Sequence, residues 1–308
     1  MTASLFIDGA VGTTGLEIRD RLAGRPEFQL ILLDDADRKD AGRRAQALND
    51  ADYAILCLPD DAAVEAVSLV TNPRTRIIDA STAHRVADGW TYGFAELEPT
   101  QLAAIADAGR VANPGCWPTA YLALVRPLVR AGIIPAQWML SAGGASGYSG
   151  GGRAMIEEFE SGKAATGYRA YGLNLAHKHL PEMQKHSRME HAPVFQPAVA
   201  ATYRGMLLEV PLPLAMLPRA PSVTTIENVL REAYQNAPLI DVATADEAQL
   251  MIEENAGTDR MTLRVFGNDR GPARLVATLD NLGKGAAGAA VHNLNIMAGC
   301  DPLSGLSL

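Results

Sequence analysis

The stretch Ser4-Leu5-Phe6-Ile7-Asp8-Gly9-Ala10-Val11-Gly12-Thr13-Thr14-Gly15 decides the fold. Ser4 to Asp8 is a short apolar strand. Gly9, Gly12 and Gly15 follow, and Leu16, Ile18 and Leu22 then recur at helical spacing. Glycines between a strand and a helix permit a tight turn and close approach of a pyrophosphate. The helix start supplies free N–H groups and the positive end of a dipole. The spacing departs from the commoner G-x-G-x-x-G, and a ligand-free turn would use the same residues. Further strands read outward from this one: Gln29 to Leu33, Tyr53 to Leu58 and Arg76 to Asp79. Pro59 stops the third strand, and a helical stretch, Ala62 to Val70, follows it. Near-continuous apolar strands alternating with helices predict a parallel α/β sheet over roughly the first 115 residues.

The chain has 308 residues, which suggests two domains. Its 48% hydrophobic and 20% charged residues fit a globular protein and exclude disorder and collagen-like repeats. A net charge of -8 with no basic stripe argues against nucleic-acid binding. Cys57, Cys116 and Cys300 make no disulfide framework and point to a reducing compartment. No run of about 18 apolar residues exists to span a membrane. The start of the chain lacks the pattern of a signal peptide. The expected location is the cytoplasm.

Beyond residue 115 the character changes. A long apolar helix should follow Pro118 and run to about Arg130, with Pro127 kinking or interrupting it. Gln137–Ala142, Val194–Ala201, Met206–Pro211, Met261–Phe266 and Arg274–Leu279 read as strands. Helical stretches lie at Arg153–Glu160, Thr225–Gln235 and Ala286–Met297. Proline-rich Leu212 to Pro221 reads as a surface loop. This predicts a second, α+β domain on a mostly antiparallel sheet, with residues 1–115 forming the first domain and 116–284 the second.

Asn113-Pro114-Gly115-Cys116-Trp117-Pro118-Thr119 carries the clearest chemistry. Asn-Pro-Gly makes a tight turn, and Pro118 suits a first helical turn. Cys116 therefore sits at a helix N-terminus, where a thiolate is stabilised and backbone N–H groups can hold an oxyanion. That suits a covalent nucleophile attacking an acyl group. Cys57, inside a strand, and Cys300 read instead as small apolar residues.

His177-Lys178-His179-Leu180-Pro181-Glu182 groups candidates for proton transfer. Two histidines at i and i+2 share a face on a strand but not on a helix. No third and fourth ligand at familiar spacing supports a metal. A histidine acid/base fits better, with Glu182 orienting or binding; spacing does not choose between His177 and His179. The glycine-rich segments Ala145 to Arg153 and Asp280 to Gly288 each offer N–H donors or act as plain connectors. Asp34 and Asp35, about twenty residues after Gly15, suit the ribose hydroxyls of NAD. Arg38, Arg43 and Arg44 suit the 2′-phosphate of NADP.

Together these segments resemble the N-acetyl-γ-glutamyl-phosphate reductases of arginine biosynthesis, in their shorter form. The likeness runs through the Gly9–Gly15 triplet, residues 54–61 (AILCLPDD), 79–85 (DASTAHR), Tyr92-Gly93-Phe94 and Asn113-Pro114-Gly115-Cys116. It continues through residues 146–152 (SGYSGGG), His177 to Glu182 and Asp280 to Asn293. It implies a fold like that of aspartate-semialdehyde dehydrogenase. A Rossmann-type NADP-binding domain would be completed by a C-terminal helix within 285–308, and an α+β domain would carry the contacts of a homodimer or tetramer.

The implied reaction is NADPH-dependent reduction of the acyl phosphate to N-acetyl-L-glutamate 5-semialdehyde. The nucleophile then falls on Cys116 and the acid/base on the His177–His179 pair, with His177 favoured. The substrate surround falls on Ser81, Arg85, Ser146, Gly147 and Glu182. The cofactor surround falls on Gly9, Gly12, Thr13, Thr14, Gly15, Ser149, Gly150, Asn281, Lys284 and Gly285; no metal is implied. Trp117, Arg153 and His292 stand where the family commonly has tyrosine, lysine and glutamine. Three other readings share some of these residues. Another acyl-phosphate reductase, such as aspartate-semialdehyde dehydrogenase, would differ in substrate. A cysteine hydrolase or acyltransferase would bind no nicotinamide cofactor. A dinucleotide sensor would bind it without turnover.

Overall fold

The computed structural model describes residues 2–34, 36–164, 166–269 and 271–308. They form two compact units, Met1–Gly115 with Ala286–Leu306, and Cys116–Gly285 with Ser307–Leu308.

In the first unit the chain runs β1 (Ala3–Asp8), α1 (Thr13–Leu22), β2 (Phe28–Ile31), α2 (Ala41–Asp50) and β3 (Tyr53–Leu56). It continues through α3 (Asp60–Leu69), β4 (Arg76–Asp79), β5 (Thr91–Tyr92), α4 (Gln101–Asp107) and β6 (Arg110–Ala112). The strands make one sheet, ordered β2-β1-β3-β4-β6-β5, parallel at every pairing. Side chains alternate across a strand, and β1 buries both faces. Leu5 and Ile7 pack with Ile18, Leu22, Ile55, Val111 and Val291. Phe6 packs on the other face with Leu48, Leu56, Ala66 and Ile77. Such two-sided burial explains the near-continuous apolar strands. The sequence reading missed α2, α4, β5 and β6. Helix α2 buries only Ala47 and Leu48, and β5 and β6 have two and three residues, too short for any period to show.

Arg76, at the start of β4, holds this unit together at its helix ends. Its guanidinium donates to the carbonyls of Ile105, Ala106 and Ala108 at the end of α4. It also donates to the carbonyl of Met297, in the last turn of the C-terminal helix Gly288–Ala298. Carbonyls in a last turn lack intrahelical partners and attract a cation. Replacing Arg76 by Met strips them at once. The expected loss is about 2–4 kcal/mol of unfolding free energy, read from urea melts; a loss below 1 kcal/mol would refute the role.

The second unit opens with α5 (Cys116–Arg130) and continues through β7 (Ser141–Gly147), α6 (Gly152–Glu160), β8 (Tyr168–Ala170) and α7 (Leu180–Ser187). Then come β9 (Val194–Ala200), β10 (Met206–Pro213), α8 (Val223–Tyr234), β11 (Ile240–Val242), β12 (Met261–Gly267) and β13 (Pro272–Leu279). The sheet order is β11-β12-β13-β10-β7-β9-β8. The β11–β12 and β7–β9 pairs are parallel and the others antiparallel.

Three expectations are corrected here. Helix α5 passes through Pro127 without a break. Proline removes the N–H that would reach the carbonyl of Ala123; the Tyr234 hydroxyl donates to that carbonyl instead, at 2.9 Å. The strand expected at Gln137–Ala142 lies later, at Ser141–Gly147, in a glycine-rich run whose small residues hid it. At Gly144 a Cβ would stand 2.0 Å from the Leu207 carbonyl oxygen, so the strand on β10 requires glycine there. Finally, Leu212 to Pro221 is not simply a surface loop, since Leu212, Leu214 and Leu217 are buried.

Candidate active site

Cys116 is the first residue of α5, as its turn–helix setting implied. The turn before it is pinned by amides. Asn113 donates to the Ala286 carbonyl at 3.0 Å, and Asn293 donates to Asn113 Oδ1 and to the Gly93 carbonyl. In the second unit Gly285 lies against Cys116. A Cβ at that position would stand 2.7 Å from Cys116 Cβ, so the segment closes on the cysteine only without a side chain.

Four aromatic rings form a closed circuit beside Cys116. Trp117 Nε1 donates to the Tyr171 hydroxyl at 3.0 Å. The ring of Tyr171 lies 5.6 Å from that of His177, which meets Phe195 edge-on at 5.2 Å. Phe195 completes the circuit against Trp117 at 5.4 Å. His177 and His179 do not lie on a strand. They precede α7 in a turn, with His179 at its N-cap position, and the two rings touch at 4.8 Å. The His179 backbone N–H donates to His177 Nδ1 at 3.1 Å. An Nδ1 that accepts leaves the proton of the neutral ring on Nε2. Burial, and then the neighbouring Lys178 charge, hold His177 below the ordinary histidine value.

The other expected residues of this unit divide as follows. Glu182 is buried in the first turn of α7. Ser146 and Gly147 end β7. Ser149 lies in the 3₁₀ turn Tyr148–Gly151 and accepts from Asn281 Nδ2 at 2.8 Å, while Asn281 Oδ1 accepts the Gly205 N–H. A Cβ on Gly150 would stand 3.3 Å from that Asn281 amide. Lys284 is buried in the turn Gly283–Ala287. Arg153 is exposed in α6 and His292 is buried in the C-terminal helix. Sequence reasoning missed Tyr171, which belongs to no motif, and the clamp role of Asn113 and Asn293.

In the first unit the three glycines differ in what the fold asks of them. Gly9 has φ +88°, and a Cβ there would meet the Cys57 carbonyl oxygen at 2.3 Å. A Cβ on Gly15 would stand 2.4 Å from the Gly9 carbonyl oxygen. Packing therefore explains both. Gly12 is different: its nearest neighbour would be 3.5 Å away, an ordinary contact, and its φ of -76° suits any residue. It stands at the N-cap of α1, with no side-chain cap and no acid in the first turn. Bare N–H groups beside an open position fit a pyrophosphate, and Thr13 and Thr14 begin that helix.

Asp34 Oδ1 accepts the N–H groups of Ala36 and Asp37, shaping its own loop. Asp35 lies outside the described residues. Arg44 turns onto Asp8 at 2.9 Å, whereas Arg43 is largely exposed, and Arg38 lies in the turn Asp37–Lys39. Ser81 donates its hydroxyl to the buried Asp79 and accepts the Ala83 N–H. His84 Nδ1 meets the same carboxylate at 2.6 Å and stacks on Trp90. Arg85 is buried and donates to the Ala80 carbonyl. Burial, then Asp79 and Asp8, push the Cys57 thiol up to about 12, which suits an inert residue. Burial also raises Cys300. Among the described residues no group of three or more His, Cys, Asp or Glu could hold a metal, and no helix is long and apolar enough to cross a membrane.

A parallel dinucleotide-type unit and a mixed-sheet unit opening on a cysteine define the semialdehyde-dehydrogenase class. Family models agree: the semialdehyde dehydrogenase dimerisation domain matches residues 116–281, and the NAD binding domain of the same class matches 43–105. Aspartate semialdehyde dehydrogenase II from Vibrio cholerae, solved with ASA, shares the fold with a TM-score of 0.73 at 16% identity, covering 96% of this chain and 98% of that one. The enzyme from Francisella tularensis gives 0.73 at 13% identity, covering 96% of this chain and 100% of that one. Much greater identity links the chain to N-acetyl-γ-glutamyl-phosphate reductases. That of Chelativorans sp. (strain BNC1) is 50% identical, covering 99% of this chain and 100% of its own. That of Mesorhizobium japonicum is 48% identical, covering 97% and 100%. The chain belongs to the N-acetyl-γ-glutamyl-phosphate reductase family.

Proposed function

We propose that this chain reduces N-acetyl-γ-glutamyl phosphate to N-acetyl-L-glutamate 5-semialdehyde, with release of phosphate, in arginine biosynthesis. The observation that carries the reading is Cys116 at the start of α5, followed at once by Trp117, which packs on Phe195, against which His177 also packs. The Cys116 thiolate attacks the acyl carbon, and the first N–H groups of α5 steady the oxyanion. The C–O bond to phosphate breaks and a thioester remains. NADPH, when bound, supplies hydride to carbonyl carbon. The resulting thiohemiacetal expels the thiolate and yields the aldehyde. The one proton consumed overall leaves on the phosphate.

His177 holds its proton at Nε2 as a donor to the sulfur or the oxyanion, and His179 sets that tautomer through its N–H. Glu182, Ser146 and Gly147 are assigned to the substrate, with Ser81 and Arg85 at its phosphate end. In the structure the Ser81 hydroxyl donates to Asp79 and Arg85 donates to the Ala80 carbonyl. Gly9, Gly12, Thr13, Thr14 and Gly15 are assigned to the cofactor pyrophosphate, and Arg38 and Arg43 to a 2′-phosphate. Ser149, Gly150, Asn281, Lys284 and Gly285 complete the cofactor contacts. The protein works in the cytoplasm as a homodimer or tetramer, consistent with the dimerisation-domain match.

The test is a reverse assay with N-acetylglutamate semialdehyde, inorganic phosphate and NADP, repeated with NAD and with aspartate semialdehyde. Phosphate-dependent reduction of NADP supports substrate, cofactor and covalent route together. Turnover with aspartate semialdehyde alone discards the substrate, and no turnover with either discards the reading.

A further inference from the structure

A second histidine, His84 in the first unit, is held by a buried carboxylate and has no part in the thioester chemistry. Asp79 ends β4, at the edge where the strands of a parallel sheet present ligands. Its side chain is fully buried. Oδ1 accepts the Ser81 N–H at 2.9 Å, and Oδ2 accepts the Ser81 hydroxyl at 2.7 Å. His84 Nδ1 meets the same Oδ2 at 2.6 Å. A carboxylate only accepts, so Nδ1 carries the proton and the neutral ring is bare at Nε2. The imidazole stacks on Trp90, with centroids 4.2 Å apart and planes at 19°. The loop itself is tied down, because the Thr82 N–H and hydroxyl both donate to Asp60 at the start of α3. Among the described residues Nε2 has no hydrogen-bond partner, and it is not sealed from water, with 12% of the side chain exposed. A structural role uses Nδ1 and the ring face. It does not account for an open acceptor at the ligand edge of the sheet, next in sequence to Arg85.

We propose that His84, held by Asp79, carries the proton of the phosphate: Nε2 takes it when hydrogen phosphate attacks the thioester, and returns it to the departing oxygen in the reductive direction. The inference rests on the proposed reaction and on its assignment of Ser81 and Arg85 to the phosphate end. In the phosphate-consuming direction a phosphate oxygen forms the bond to the thioester carbon. Its O–H proton passes to Nε2, and the C–S bond breaks to free the Cys116 thiolate. In the reductive direction the C–O bond breaks and the imidazolium gives its Nε2 proton to the leaving oxygen, so phosphate departs as the dianion rather than the trianion. Asp79 is the positioning residue. It keeps the proton of the neutral ring on Nδ1 and stabilises the imidazolium that forms. The same logic runs through a Ser-His-Asp triad, with the phosphate hydroxyl in the place of the serine.

The test separates hydride transfer from phosphate attack in the reverse direction. Mixed with N-acetylglutamate semialdehyde and NADP but no phosphate, the wild-type enzyme should form one NADPH per active site and pause at the thioester. Inorganic phosphate should then start turnover. His84→Asn keeps an N–H for Asp79 where Nδ1 stood and removes Nε2. It should leave the size and rate of the NADPH burst unchanged and lower the phosphate-dependent kcat by a factor of about 10² or more, with a smaller change in the KM for phosphate. Asp79→Asn faces Nδ1 with an amide N–H and drives the ring proton to Nε2, so it should show the same slow phosphate step with its burst intact. Equal phosphate-dependent turnover in wild type and His84→Asn would overturn the proposal. So would a burst lost in the same proportion as turnover, which marks a damaged site. If His84→Asn fails to fold by circular dichroism, His84→Gln, whose amide cannot relay a proton, decides by the same two measurements. A wild type that gives no burst would instead overturn the thioester reading, and this inference with it.

Discussion

Cys116→Ser should lower kcat/KM by a factor of about 10⁴ or more while leaving NADP binding unchanged. A serine hydroxyl at this position does not ionise at working pH, so attack on the acyl phosphate loses its nucleophile. Any oxyester that formed would accept hydride less readily and expel its oxygen less easily than a thioester. The cofactor should not feel the change, because serine and cysteine differ little in size and none of the residues assigned to the cofactor is altered. Two measurements separate these effects. Wild-type enzyme mixed with acyl phosphate and no cofactor should release one phosphate per active site, and Cys116→Ser should release none in the same time. Calorimetric titration with NADP should give equal affinities. A variant that loses NADP affinity, or that keeps the phosphate burst, would remove Cys116 from the role of nucleophile.

How much of this was legible beforehand depends on what each segment asks of its residues. The strand–glycine–helix start was readable because β1 is buried on both faces and the turn tolerates only glycine at 9 and 15. The Cys116 turn was readable because Asn-Pro-Gly and Pro118 have narrow backbone preferences. Strand β7 was misplaced because its run of small residues reads as a connector, and close approach to β10 demands the glycine at 144. Pro127 misled for a different reason: the partner that replaces its lost hydrogen bond, Tyr234, is 107 residues away, 111 from the carbonyl it serves. Local rules carry no information about such a partner. Tyr171 was invisible for the same reason. Nothing near it in sequence announces that Trp117, on another element, will donate to it. The backbone N–H of His179 that reaches His177 Nδ1 was likewise not legible, because no local pattern says which ring nitrogen will accept.

That bond makes the second large expectation specific. His177→Ala should lower kcat by a factor of about 10²–10⁴, within the usual range for a proton-handling group. His177→Gln should recover part of the loss, since a glutamine amide can place an N–H where Nε2 stood; an imidazole needed in its charged form could not be replaced so. The pH profile gives the sign. Burial and Lys178 hold His177 below the ordinary histidine value of about 6.5. The neutral, Nε2-protonated ring therefore persists below that pH, and the acid limb of kcat/KM should lie under 6.5. Protonation would put a second hydrogen on Nδ1, facing the His179 N–H, and this opposes charging in the same direction. Linkage adds a stability term. The unfolded chain takes up the proton first, so this histidine contributes stability above about pH 6.5 that is lost as pH falls toward the folded value. Lys178→Met should move the acid limb upward by a fraction of a unit, because burial, which it leaves intact, is the larger cause. An acid limb above 6.5, or Gln no better than Ala, would show that His177 works as a cation and that its Nδ1 contact does not set its state.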